Sequence, residues 1–170
     1  MDAPVLVAYA TKYGSTEETA LMVAAVLQAE QLPVEVRSVS EVKTWKPYSA
    51  VVLATALYMG RLHKGARQFL AKWQAELSRI PVALLVAGPV ERDEKQQKSA
   101  QDQLAKELAR VSWFHPVAQT VVGGKWDPAK LQFPFNWTLR KVPASDARDW
   151  DAIRAWAKEI ANKLQPVETR

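Results

Sequence analysis

The sequence predicts an α/β fold: one domain over residues 1–170, built on a doubly wound, five-stranded parallel sheet with helices on both faces. Three observations predict it. Short apolar runs alternate along the chain with longer segments of helical period. A length of 170 residues supplies one sizeable core. A composition of 48% hydrophobic and 24% charged residues is that of an ordinary globular domain. Pro4 to Ala10 is expected as the first strand. A helix over Thr16 to Glu30 follows, with Ala20, Val23, Ala24 and Leu27 forming one apolar stripe. Pro33 then introduces a second strand, Val34 to Val39, and Ala50 to Ala56 is the third. The next helix carries Ala66, Phe69, Leu70, Trp73 and Leu77 on one face, before a fourth strand from Pro81 to Gly88. Residues 93–110 are polar but keep Ala100, Leu104 and Leu108 in helical register. Val117 to Val122 is the fifth strand, and Trp150, Ile153, Ala157, Ile160 and Leu164 mark the last helix.

Several function classes are disfavoured at once. The chain enters its first apolar run without a basic leader, so no signal peptide is expected. Its longest nearly apolar run, AVVLATALYMG, falls short of the roughly 20 residues that span a bilayer. A soluble protein, at most attached to a membrane surface, is the expectation. With no cysteine there is no disulfide, thiol nucleophile or thiolate metal site, which fits a reducing cytoplasm. His63 and His115 are too few for a histidine-rich metal site, and no metal is expected. A net charge of +5 suits an anionic partner, but the 23 basic residues are spread along the chain, so nucleic acid is not expected.

In a doubly wound sheet, ligands sit at the carboxyl ends of the strands beside the topological switch point. The loops that would converge there read TKYGST, LYMGRLHKG and PVERDEK. In the first, Ser15 and Glu18 match a capping box, and Gly14 would relieve a tight turn. That leaves Thr11 and the further hydroxyls unexplained, at a place where a helix already offers unpaired N–H groups and the positive end of its dipole. The combination reads as an anion cradle, opposed by Glu17 and Glu18 unless both turn sideways. The stretch lacks the three glycines of a dinucleotide fingerprint and the Gly-Lys-Ser/Thr of a nucleoside triphosphate loop. A phosphoacceptor receiver domain would need acids at the ends of strands one and three, where this chain has Tyr9-Ala10 and Thr55-Ala56.

Thr11-Lys12-Tyr13-Gly14-Ser15-Thr16 resembles the Thr-x-x-Gly-x-Thr phosphate loop of flavodoxin-like, FMN-binding proteins. YSAVVLATALYMGRLHKGARQFL is similar to the third strand and ring-binding loop of the menaquinone-dependent protoporphyrinogen IX dehydrogenase branch, and DARDWDAIRAWAKEIA to the closing helix of the same group. The resemblance implies strand order 2-1-3-4-5 and FMN as cofactor. It implies that Thr11, Lys12, Tyr13, Gly14, Ser15 and Thr16 hold the phosphate. Ala56, Leu57, Tyr58, Met59 and Gly60 would lie along the isoalloxazine ring, with Gly88, Pro89, Val90 and Glu91 as a third wall. Carriers of the family commonly place an aromatic in that third loop, where this sequence has Pro89 and Val90. His63 matches a histidine of the dehydrogenase branch and is the catalytic candidate, beside Arg61, Lys64 and Arg67.

Between the fifth strand and the last helix, about residues 123–148, lies a segment far longer than the roughly 2 to 6 residues such connections need. Within 125–141, Trp126, Leu131, Phe133, Phe135, Trp137 and Leu139 alternate with Lys125, Lys130, Arg140 and Lys141. That suits peripheral contact with a membrane at its inner face or a large planar anion, the alternative being a loop folded over the sheet edge. Three functions follow as expectations. The first is an FMN-dependent oxidoreductase passing electrons from a reduced substrate to a quinone-type acceptor. The second is a flavodoxin-type electron carrier serving redox-protein partners, and the third is a cofactor-free interaction module.

Overall fold

Strand positions follow the apolar runs closely. The computed structural model describes residues 3–11, 14–88, 93–126, 145–146 and 148–165. Its first strand, β1 (Val5–Tyr9), lies between β2 (Val34–Ser38) and β3 (Ala50–Tyr58), parallel to both. Outward from β3 come β5 (Val82–Ala87) and β6 (Ala118–Val122), also parallel. Counting only these parallel strands, the order is the expected 2-1-3-4-5.

The central strands are buried over nearly their whole length, as continuous apolar runs require when both faces of a parallel sheet are covered. On one face, Val5, Val7, Val52, Ala54 and Leu85 pack against α1 (Ser15–Ala29) and α5 (Trp150–Leu164) through Val23, Leu27, Ile153, Ile160 and Leu164. On the other face, Leu6, Leu53, Leu84 and Val86 meet α2 (Lys64–Lys72), α3 (Gln74–Leu77) and α4 (Glu94–Ala109). The edge strand β2 alternates: Val34 and Val36 pack on the first face, while Glu35 pairs with Arg37 and Lys46. Burial alone would raise the Glu35 carboxyl, and the hydrogen bonds from Arg37, Tyr48 and Lys46 outweigh it, leaving it below its ordinary value.

Three expectations are corrected. The helix expected through Trp73 is two helices, α2 and α3, meeting at Trp73, which stays in the core because it packs on Trp45 with ring centroids 5.2 Å apart. The expected Ser15 capping box is absent: Gly14, at φ 88°, takes the N-cap position and no side chain caps α1. The box forms instead at Ser38 and Glu41, which end β2 in one turn of 3-10 helix, Val39–Glu41. On α4 Ala100 and Leu104 are buried and Leu108 packs half-buried against the core as expected, with the buried carboxylate of Glu107 beside them. Finally, β3 runs past Ala56 to Tyr58 and turns back through β4 (Arg61–Leu62), which pairs with it antiparallel. A further two-residue ribbon, β7 (Lys125–Trp126) with β8 (Ser145–Asp146), brings together the two ends of the long segment. The rest of the 125–141 stretch lies outside the described residues.

Candidate functional site

The parallel register places the relevant loops side by side at the carboxyl edge of the sheet. Tyr9 is level with Ala54, and the Ala10 N–H donates to the Ala54 carbonyl at 2.9 Å. One strand further on, Ala56 is level with Ala87. The turn after β1, the β3–β4 hairpin and the start of the loop at Gly88 are therefore neighbours.

The first turn is shaped as an acceptor of anions. The Gly14 N–H donates to Thr11 Oγ1 at 2.8 Å, which leaves the Thr11 hydroxyl proton available to another acceptor. Gly14 needs its left-handed φ, and a Cβ there would meet nothing within 4 Å, so the space over the turn is open. With α1 uncapped, the N–H groups of its first turn, at Ser15, Thr16 and Glu17, are left for an outside acceptor. Thr16 is 1% exposed, and its Oγ1 has no hydrogen-bond partner among the described residues. A buried hydroxyl without a partner is costly, so Thr16 Oγ1 at this helix start can serve a ligand; Thr55 Oγ1 on β3 is likewise without a partner among the described residues. Lys12 and Tyr13 lie outside the described residues.

The two carboxylates that opposed an anion are engaged elsewhere. Glu18 pairs with Arg148 at 2.5 Å, and Arg148, only 7% exposed, also lies 4.6 Å from the Trp150 ring. Glu17 lies by the Tyr9 phenol, whose pKa is raised by burial first and by the charge of Glu17 second.

The hairpin forms the next wall. Leu57 is paired with Leu62 and Tyr58 with Arg61, across a two-residue turn of Met59 and Gly60. Both turn residues have positive φ, 51° and 79°, as a type I′ turn demands. Glycine accepts this without strain. Methionine does not, and Met59 is also fully exposed. A strained, solvated apolar residue beside an anion cradle is the kind of outlier that points to a ligand surface. Tyr58 packs edge-on against His63, with centroids 5.8 Å apart. His63 itself is the N-cap of α2, its Nδ1 accepting from the Gly65 N–H at 2.9 Å. Gly65 is glycine for want of space, since a Cβ would stand 3.1 Å from that imidazole.

Ala56 and Gly88 complete what is described. Gly88 donates its N–H to the Val122 carbonyl at 2.8 Å, and a Cβ there would crowd Val121 at 3.0 Å and Ala100 at 3.2 Å, so glycine allows α4 and β6 to close on β5. Pro89, Val90 and Glu91 lie outside the described residues. A separate groove of about 750 Å³ opens between α4, β6 and the start of α5, lined by Gln97, Gln101, Val121 and Asp149 among others. It brings none of the expected site residues together.

Comparison with known proteins defines the class. A family model described as flavodoxin domain matches residues 6–149, and the chain belongs to that family. Among solved structures, a short-chain flavodoxin associated with a non-canonical PDU bacterial microcompartment matches with a TM-score of 0.62 and 16% identity, covering 96% of this chain and 100% of the other. A mutant flavodoxin from Pseudomonas aeruginosa matches with a TM-score of 0.57 and 15% identity, covering 96% and 99%. A mutant flavo di-iron protein from Thermotoga maritima matches at 0.61 and 15%, with 97% of this chain aligned to 37% of that one. No curated protein sequence matches the chain. A flavodoxin domain implies FMN as cofactor. The residues present fit its phosphate, because the unpaired Thr16 hydroxyl, the uncapped helix start and the open space over Gly14 are what a bound phosphate would use.

Proposed function

We propose that this chain is an FMN-dependent electron-transfer protein that exchanges electrons with an acidic protein partner. One observation carries the cofactor half: Thr16 Oγ1, buried and without a partner among the described residues at the start of α1. When bound, FMN supplies one- and two-electron chemistry at its ring. The chain's own residues hold and orient it. Thr11, Ser15 and Thr16 donate to the phosphate through hydroxyl and N–H groups, with Gly14 keeping the turn open. Leu57, Tyr58 and Met59 would flank the ring and exclude water on one side, and the hairpin would hold Gly60 close to it.

The partner half rests on charge. Lys64 opens α2 just after the hairpin, with Arg67 on the same first turn, and the whole chain carries +5. An acidic docking face on the partner would be steered to this surface, with rates that fall as salt is added. Replacing Lys64 and Arg67 together with glutamate should slow electron exchange with an acidic redox protein at least about tenfold at low salt. Unchanged rates and salt dependence would sink the assignment of this face.

A second reading keeps the resemblance to protoporphyrinogen dehydrogenases: oxidation of a small anionic substrate, each pair of hydrogens removed reducing one quinone to a quinol. The imidazole of His63 beside Tyr58, flanked by these cations, is what supports it. Anaerobic turnover of protoporphyrinogen with a menaquinone analogue distinguishes it from the carrier reading, which predicts none.

A further inference from the structure

We infer that Glu107 is a positioning residue for the hairpin at the cofactor site, fixing its backbone and neutralising the arginine beside it; the inference rests on the FMN reading above. Glu107 is the one buried carboxylate among the described residues, 4% exposed, on the core-facing stripe of α4. A carboxylate in that place is stable only with partners. Among the described residues, all its partners on other elements belong to the hairpin. Oε2 accepts the Leu62 N–H at 3.1 Å, and Oε1 lies 2.5 Å from Arg61 Nε, while Arg110 on the next helical turn stands back at 3.8 Å.

Leu62 and Arg61 are the residues that pair across the turn with Leu57 and Tyr58. Holding them therefore holds Met59 and Gly60 in their positive-φ conformation, which Met59 would otherwise tend to leave. The charge matters separately. An unneutralised guanidinium next to the ring would favour the electron-rich, reduced form of FMN, and the Glu107 carboxylate offsets it. Backbone geometry and local charge at one wall of the site thus depend on a single side chain from α4.

The two functions separate by substitution. Glu107→Gln keeps an oxygen for the Leu62 N–H and loses the charge; Glu107→Leu loses both. Amide hydrogen exchange at Leu62 should accelerate about tenfold to a hundredfold in Glu107→Leu, the scale of a lost hydrogen bond to a charged group, and change little in Glu107→Gln. With FMN bound, Glu107→Gln should show a more positive midpoint potential than the wild type, and adding Arg61→Gln should return it. A merely structural role would not move the potential in this reversible way. Equal exchange at Leu62 in Glu107→Leu and wild type would overturn the clamp, and an unmoved potential in Glu107→Gln would overturn the charge effect. If Glu107→Leu does not fold, Glu107→Met decides instead, with accelerated exchange at Leu62 expected and exchange equal to the wild type overturning the clamp. Failure of the wild type to bind FMN would defeat the cofactor reading and the redox half together, whereas the exchange arm, run on the cofactor-free chain, would still decide whether Glu107 holds the hairpin.

Discussion

Thr16→Val removes the hydroxyl and keeps the shape of the side chain, so it isolates what that hydroxyl does. Oγ1 is buried with no partner among the described residues, at a cost of about 1 to 3 kcal/mol by the usual penalty for an unpaired buried group. The valine methyl has no such need. Stability of the apo chain should therefore hold or rise by up to about 1 kcal/mol, measured by urea denaturation. FMN affinity should move the other way, because a hydrogen bond to the charged phosphate is lost. That loss is worth about 1 to 3 kcal/mol, or roughly 5- to 150-fold in Kd, measured by quenching of flavin fluorescence. Opposite signs in the two assays are the signature of a residue kept for its ligand. Unchanged FMN affinity, or a loss of apo stability matching the loss of affinity, would refute the reasoning.

Two further outcomes follow from the geometry. His63→Leu removes the Nδ1 cap on α2 and should cost about 1 kcal/mol of stability, while His63→Asn, a good N-cap, should restore most of it. If His63→Asn instead folds normally and abolishes turnover of a small substrate, the second functional reading gains. Stability should also fall at both ends of the pH range. Glu35 titrates below its ordinary 4.5 when folded, so its contribution is present above that pH and is lost as pH falls further. The Tyr48 phenol, pushed up to about 12 from 10.0 by burial first and by its bond to Glu35 second, contributes stability that is full below pH 10 and is lost as pH rises towards 12. Thermal melts should show both limbs, and Tyr48→Phe should shrink the alkaline one; an alkaline loss of the same size in Tyr48→Phe would contradict the assignment.

What the sequence made legible was the pattern that depends on period alone. Buried parallel strands are apolar runs, so β1, β3 and β5 were readable within one or two residues at each end, and the one-sided helices α1 and α5 followed from their spacing. Strand order came from resemblance, since periodicity says nothing about neighbours. The β3–β4 hairpin was invisible because its turn is Met-Gly, not the Asn-Gly or Asp-Gly that announces such a turn. Ser15 matched a capping pattern whose meaning depends on where the helix begins, and Gly14 begins it one residue earlier. Glu107 went unread for a related reason. In a polar stretch, nothing local distinguishes a solvated acid from one buried against a partner some 45 positions away in sequence. The phosphate turn was legible through its composition, and the structure added that the Thr16 hydroxyl has no partner among the described residues and that Glu18 is paired with Arg148.

The central claim is that the turn at residues 11–16 holds the phosphate of FMN, and the most direct measurement is a parallel titration of the purified chain with FMN and with riboflavin, which differs by lacking that phosphate. The account predicts one tightly bound FMN per chain and riboflavin weaker by at least about a hundredfold, the loss of about two charge-assisted hydrogen bonds. Equal affinity for the two flavins, or no affinity for FMN, would contradict it.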